Sequence, residues 1–322
     1  MGDLSETDRV TPRSRRAVGA AMIGGEFWIY GGFGVGGTTR PDDIGSDLWR
    51  FGNGWEIVSE RGPYPARYPS LCAAPGGFYM FGGCGHNGRY STFLNGLWAY
   101  DGAWKPVDTA GGTLPEGRYT SALALKGRNL IMFGGHSQTP DGDKSFYGDL
   151  WLFDLELRVW AKAHGHGQGP GRRYGFGWAA DADRLYIFGG YDGTRDLGDL
   201  WVLDLSSLFW EKVPQAGPEP RYCPALGMVG GVVVLFGGRS KVDPRHNLSD
   251  TWIYRDGWRR FIPPGGEPEP GYHAKPAYAS DGKSMWMFAG EGPQGHVSDL
   301  WTFGPAGWRK VHGNRKDDPV LW

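Results

Sequence analysis

Six positions, five following a glycine pair and the sixth an Ala-Gly, carry six different side chains: Phe33, Cys84, His136, Tyr191, Arg239 and Glu291. Imidazole titrates near neutrality and burial can tune a carboxylate there, so His136 and Glu291 are a candidate acid–base pair. His86 and His296, in neighbouring segments, are further candidate proton carriers. Arg239 and Glu291 fall in consecutive segments and could pair or hold a polar substrate between them. Phe33 and Tyr191 would add aromatic wall. A second set follows a series of prolines: Tyr68, Tyr119, Tyr174, Tyr222 and Tyr272, with Ser14 at the corresponding place in the first segment. Tyrosine joins an apolar body to a polar tip, which suits enclosure of a small organic ligand. Arg16 and His273 lie beside this set, and Arg15–Arg16 make a possible anion contact. Glu291, His296, Asp243 and His246 together form a nitrogen/oxygen donor set of the kind that holds iron, manganese or zinc.

Whatever positions these residues is repetitive. Apolar runs end in a glycine pair at 31–32, 82–83, 134–135, 189–190 and 237–238, and in Ala289-Gly290 at the sixth. Each is followed by an acid-x-Trp signature (Asp47/Trp49, Asp149/Trp151, Asp199/Trp201, Asp250/Trp252, Asp299/Trp301), except that the second copy has Gly96/Trp98. A further tryptophan follows: Trp55, Trp104, Trp160, Trp210, Trp258, Trp308. The junctions carry Pro near Arg, as in Pro12-Arg13, Pro65/Arg67, Pro115/Arg118, Pro170/Arg172 and Pro220-Arg221. The sixth, Pro270-Gly271, has none.

Between these landmarks lie aromatic and β-branched runs bounded by Gly, Pro, Asn and Asp, with no helical periodicity, so each unit reads as four short strands. The first copy predicts strands at 17–23, 27–31, 47–51 and 55–58. Four-stranded units of about fifty residues describe propeller blades, and six of them close a ring. The expectation is all-β: a six-bladed β-propeller with four antiparallel strands per blade. It forms a single domain over 1–322, with blades at about 12–60, 61–112, 113–165, 166–215, 216–265 and 266–312. Polar tails would occupy 1–11 and 313–322.

The glycine pair, the Asp-Leu-Trp, the later Trp and the Pro-Arg junction resemble the kelch repeat over residues 12–312. That resemblance implies the propeller fold, and it implies either an enzyme or an interaction scaffold. The Ala289-Gly290-Glu291 segment is also similar to the iron-carrying blade of plant nitrile-specifier proteins, kelch lyases that place an Asp four and a His eight residues after the Glu. Here those places hold Gly295 and Asp299, so only Glu291 is carried over. The expectation is therefore no cofactor, with a divalent metal such as iron as the variant reading.

Strand alternation puts the long 2–3 segments (33–46, 84–95, 136–148, 191–198, 239–249, 291–298) and the 4–1 linkers on one end of the ring, and tight turns on the other. Loops on a rigid scaffold carry binding and catalysis, so the first end is the expected working face. His164, His166 and His312 also fall on or near it. Composition narrows the partners. Lys+Arg of 34 against Asp+Glu of 35 gives a net charge of −1, which speaks against phosphate-backbone binding. No apolar stretch is long enough to span a bilayer. Three cysteines without C-x-x-C, and a polar start, point to the cytoplasm. The sequence thus favours a small-molecule substrate, no nucleic acid and no membrane, with lyase, isomerase or cyclase chemistry by acid–base positioning. The alternative is a protein partner on the same face, an acidic or polar peptide read through Arg15, Arg16, Arg173 and Arg239.

Overall fold

A computed structural model describes residues 11–37, 40–214, 217–243, 247–263, 269–292 and 295–313. The expected tails at 1–11 and 313–322 therefore lie almost wholly outside the described residues, as does His246. Six four-stranded antiparallel sheets follow one another along the chain, and among the described residues there is no helix. The innermost strands are Gly19–Ile23, Ser70–Ala74, Ala122–Lys126, Gly177–Ala180, Ala225–Val229 and Ala277–Ser280. They are short and rich in Ala, Ser and Gly because six of them converge on one axis. A Cβ on Gly19, for instance, would stand 2.5 Å from Leu71 Cδ1 of the next blade.

Each sheet draws its four strands from one continuous stretch of chain, so the ring closes without one terminus completing the other's blade. The second blade differs only by a small extra hairpin, Cys84–His86 with Ser91–Phe93. The second and third strands of the first blade, Glu26–Phe33 and Ile44–Phe51, run past the predicted ends, with a bulge between Tyr30 and Gly32. The same extension occurs in blades three, four and six. Much of what reads as polar loop is therefore strand, stiffened by a β-bulge.

Neighbouring blades are locked by one aromatic contact repeated six times. The outer-strand tryptophan of each blade packs edge-on against the aromatic residue before the preceding blade's glycine pair. The pairs are Tyr30–Trp104, Phe81–Trp160, Phe133–Trp210, Phe188–Trp258, Phe236–Trp308 and Phe288–Trp55, with centroids 4.8–5.4 Å apart. Such pairs add about 0.5–1.5 kcal/mol each beyond the area they bury. The last pair joins blade six to blade one, so the seam is packed like every other junction.

The acid-x-Trp signature also has a physical reason. The indole N–H donates to the aspartate two residues earlier, at 2.6–2.7 Å for Trp49, Trp151, Trp201, Trp252 and Trp301. The same aspartates bind buried arginines from the 4–1 linkers: Arg15–Asp47, Arg118–Asp149, Arg173–Asp199 and Arg221–Asp250, at 2.6–2.9 Å. Each guanidinium also donates to the carbonyl of the first glycine of its blade's pair, at 3.0–3.2 Å. Burial pushes these aspartates up, but the arginine and the indole outweigh it and hold all four below the usual carboxylate range.

Two blades vary the theme. In blade six His273 replaces the arginine, its Nε2 lying 2.9 Å from Asp299. In blade two both charges are gone: Ala66 stands for Arg and Gly96 for Asp, while the Tyr64 hydroxyl donates to the carbonyls of Gly82 and Gly96. These contacts correct three expectations. His273 is 4% exposed and committed to Asp299, so it does not face a ligand. Arg15 and Arg173, each 2% exposed, tie their own blades together and cannot read a peptide. The register also differs from the Pro-Arg pairs read along the chain. The tying residue falls three positions after Pro12, Pro63, Pro115, Pro170, Pro218 and Pro270 in all six blades.

Candidate functional site

Counting from that tying residue, the next position bridges the residue after the glycine pair. The pairs are Arg16–Phe33, Arg67–Cys84, Tyr119–His136, Tyr174–Tyr191, Tyr222–Arg239 and Ala274–Glu291. The equivalence expected for Phe33, Cys84, His136, Tyr191, Arg239 and Glu291 is thus present in the fold. The five tyrosines, by contrast, are not one ring. Tyr119, Tyr174 and Tyr222 share a ring with Arg16, Arg67 and Ala274, Tyr68 lies one residue deeper, and Tyr272 two residues before. A slip of one residue in an extended segment turns a side chain to the other side.

The deeper position is Ala17, Tyr68, Thr120, Cys223 and Lys275, all at φ between 52 and 62°, with Gly175 at 61°. Here the chain turns into the channel, and a girdle of hydrogen bonds passes from blade to blade. The N–H of Tyr68 donates to Ala17, Thr120 to Tyr68, Cys223 to Gly175, Lys275 to Cys223 and Ala17 to Lys275. Gly175 N–H donates to the Thr120 side chain at 3.3 Å and completes the circle.

Two cavities meet at this waist and share Tyr68, Thr120, Cys223 and Lys275. The one on the tight-turn side, about 250 Å³, runs between the inner strands. The one on the 2–3 side is about 200 Å³ and is walled by Arg16, Arg67, Phe33, Tyr119, Tyr174 and Tyr222.

Behind the lining of the second cavity stand two chemically different groups, one bonded to its Arg16 and Lys275 and the other packed on its Phe93, Tyr119 and Tyr174. Glu291 accepts from Lys275 Nζ at 2.8 Å and from Arg239 at 3.0 Å, and also pairs with Arg16. Arg16 and Arg67 lie against the Phe33 ring, 4.8 and 5.8 Å from its centroid. Arg67 donates to Ser91 at 2.8 Å and has no carboxylate partner among the described residues. Two guanidiniums on one carboxylate, with Arg67 bonded to a hydroxyl rather than to an acid, make this side electropositive. Opposite it, His136 is 4% exposed and packs among Phe93, Tyr119, Phe146 and Tyr174, with centroids 4.8–6.1 Å away. Burial, then Lys144 and Lys241, lowers His136 to about 4; burial, then Arg16 and Lys275, lowers His296 to about 4. Both are neutral at pH 7, and the Nδ1 atom of each is buried without a hydrogen-bond partner among the described residues. Burial raises Tyr68, Tyr119, Tyr174, Tyr222 and Tyr272, so these phenols stay protonated.

The other sequence candidates are dispersed. His136 and Glu291 sit on blades three and six, and no hydrogen bond joins them among the described residues, so they do not form a proton-transfer pair. His86 accepts from Gly88 N–H in the tip of the small hairpin. His296 stacks edge-on against Phe33. His164 and His166 are exposed at the outer rim, His166 pairing with the chain beside Trp210. Among the described residues no three His, Cys, Asp or Glu side chains gather to hold a metal ion. Glu291, the residue that similarity suggests for iron, is instead paired with the guanidiniums of Arg16 and Arg239, which repel a cation; the residues do not fit that metal. Arg67, Lys275, Phe93 and Phe146 were not foreseen. Register counting from the six prolines would have found Arg67 and Lys275.

A ring of six four-stranded blades, five with paired glycines and five with an Asp-x-Trp tied to the linker, defines a kelch-type propeller. Residues 102–273, just over half of the chain, match the KLHDC2/KLHL20/DRC7 Kelch-repeats domain, and the chain belongs to the kelch-repeat family. It is similar to Kelch domain-containing protein 10 of Xenopus laevis, 30% identical over 72% of this chain and 58% of that protein. The Rattus norvegicus protein of the same name is 29% identical over the same shares. The flagellar outer arm dynein alpha chain of Chlamydomonas reinhardtii is 28% identical over 44% of this chain but only 3% of its own. The chain thus spans little more than half of the longest-matched curated relatives. The solved structure of YjhT superposes with a TM-score of 0.72 at 15% identity, covering 94% of this chain and 99% of the other, a likeness of fold.

Proposed function

We propose that this propeller binds a small organic anion in the cavity on its 2–3 side, with the carboxylate or equivalent group against Arg16 and Arg67 and the carbon skeleton against Tyr119, Tyr174 and Tyr222. The observation that carries this reading is Arg67, which lines the cavity beside Arg16 with a hydroxyl but no carboxylate for a partner among the described residues. A guanidinium in that position prefers a planar anion, which it can hold by two parallel hydrogen bonds. The volume, about 200 Å³, suits a ligand of roughly a dozen heavy atoms rather than a broad protein surface. A protein partner remains the alternative, and it would have to present one protruding acidic group.

Calorimetric titration with phenylacetate tests the reading, with benzyl alcohol as the neutral control. Phenylacetate is expected to bind and benzyl alcohol not to. Arg67→Ala should weaken phenylacetate at least tenfold, about 1.4 kcal/mol. Equal binding of the two compounds, or an unchanged Arg67→Ala variant, would remove the anion site.

A further inference from the structure

Lys275 is the one amine at the waist of the channel, where the other blades place Ala17, Tyr68, Thr120, Gly175 and Cys223. Its side chain is 11% exposed, lines both cavities, and puts Nζ 2.8 Å from a Glu291 oxygen. That carboxylate is also paired with Arg16, a member of the anion wall. We propose that Lys275 is a covalent site, condensing with the carbonyl group of a 2-oxo acid whose carboxylate rests on Arg16 and Arg67. This deepens the anion-binding reading and depends on it.

The chemistry needs nothing the site lacks. The Nζ lone pair forms a bond to C2 of the acid while the C=O bond opens to a hydroxyl. Glu291 carries the two nitrogen protons to that oxygen in turn, the first to form the hydroxyl and the second as the hydroxyl departs. Both amine protons thereby leave with the carbonyl oxygen as one water, and a C=N bond replaces C=O. The groups facing Lys275 are Glu291, Arg16, Arg239, Lys241, Cys223 and His296. Burial first, then Arg16 and Arg239, lowers Lys275 to about 6, so at neutral pH the amine carries a free lone pair. The imine, once protonated, draws electrons from the adjacent carbon, which is what a lyase acting on a carboxylic acid requires.

The test is reductive trapping. The whole chain is incubated with phenylpyruvate and cyanoborohydride, which reduces a protonated imine but spares the free ketone, at several pH values, and its peptides are analysed by mass spectrometry. The expected result is one adduct on Lys275, formed at least tenfold faster at pH 7 than on surface lysines such as Lys105 or Lys162. Its rate should fall as pH drops through about 6. Phenyllactate, which has the carboxylate but no carbonyl, should protect Lys275 in the unmodified protein, and Lys275→Met should lose the adduct. Labelling spread evenly over the lysines would overturn the proposal. If phenyllactate binds and phenylpyruvate leaves Lys275 unmodified, the imine falls while the anion site stands. If neither binds, both fall.

Discussion

A buried arginine beside a largely buried aspartate is the smallest unit on which this molecule depends. Removing one partner of such a pair leaves an uncompensated charge, which costs about 3–5 kcal/mol. Arg118→Ala should therefore destabilise by that amount in urea unfolding, whereas Arg128→Ala, exposed in its pairing with Asp154 and Glu156, should cost less than about 1 kcal/mol. The same pairs set the acid limit. Asp47, Asp149, Asp199, Asp250 and Asp299 have lowered pKa values in the fold, so their contribution is fully present above the unfolded value of 3.8. It is lost as pH falls through the lower folded values. Unfolding followed by tryptophan fluorescence should set in below about pH 4, with a weaker pH slope in Arg118→Ala. Residue roles were the hardest part to read from the chain. Arg15, Arg16, Arg67, Arg172 and Arg173 look alike in sequence, and one position decides whether a guanidinium is tied inside a blade or lines the cavity. His273 reads as a ligand contact because its partner Asp299 is 26 residues away.

At the scale of strands and turns the chain was far more legible, since glycine pairs and tryptophans mark positions where only those residues work. Gly31 and Gly32 have φ of 66 and 104°, and a Cβ on Gly31 would stand 2.5 Å from the Ala66 carbonyl oxygen. The second glycine's N–H donates to the tying residue of the next blade in all six cases, from Gly32 to Ala66 round to Gly290 to Arg15. Ala289 holds the first glycine's conformation at φ 61° with a Cβ attached. Holding a non-glycine residue there costs about 1–3 kcal/mol, partly offset by a less flexible unfolded chain. Ala289→Gly should accordingly stabilise the protein by about 1 kcal/mol, and Gly31→Ala should destabilise it by more than about 2 kcal/mol. Chemical denaturation midpoints check both; a destabilised Ala289→Gly would contradict the account. The extended second and third strands were missed because polar residues such as Ser137 and Ser145 pair across a hairpin that no apolar alternation announces.

The whole ring was legible as a count of six but not as a closure. Its seam uses the same three devices as every other junction: the tryptophan contact of Trp55 with Phe288, the Gly290 to Arg15 bond, and the girdle from Ala17 to Lys275. Trp55→Ala should therefore cost as much as Trp160→Ala, about 3–5 kcal/mol, with a single cooperative transition in both. A much cheaper Trp55→Ala would mean that the ring opens there first. The site, too, belongs to this scale. Arg16, Arg67, Tyr222, Lys275 and Glu291 come from four blades and meet only because the circle closes, so spacing along the chain could not display them as a group.

Blade two, with Ala66 and Gly96 in place of the charged pair, constrains how such a ring can change by descent. Losing the arginine first strands a buried aspartate, and losing the aspartate first strands a buried guanidinium. Either single step gives up about 3–5 kcal/mol of a net stability of about 5–15 kcal/mol. The Tyr64 hydroxyl, which donates to the Gly82 carbonyl, takes over the arginine's bond to the first glycine but not its pairing with the aspartate, so the two charges are lost at least cost together. The coupling of the two mutations, and not only their sum, is written into the joint between linker and blade.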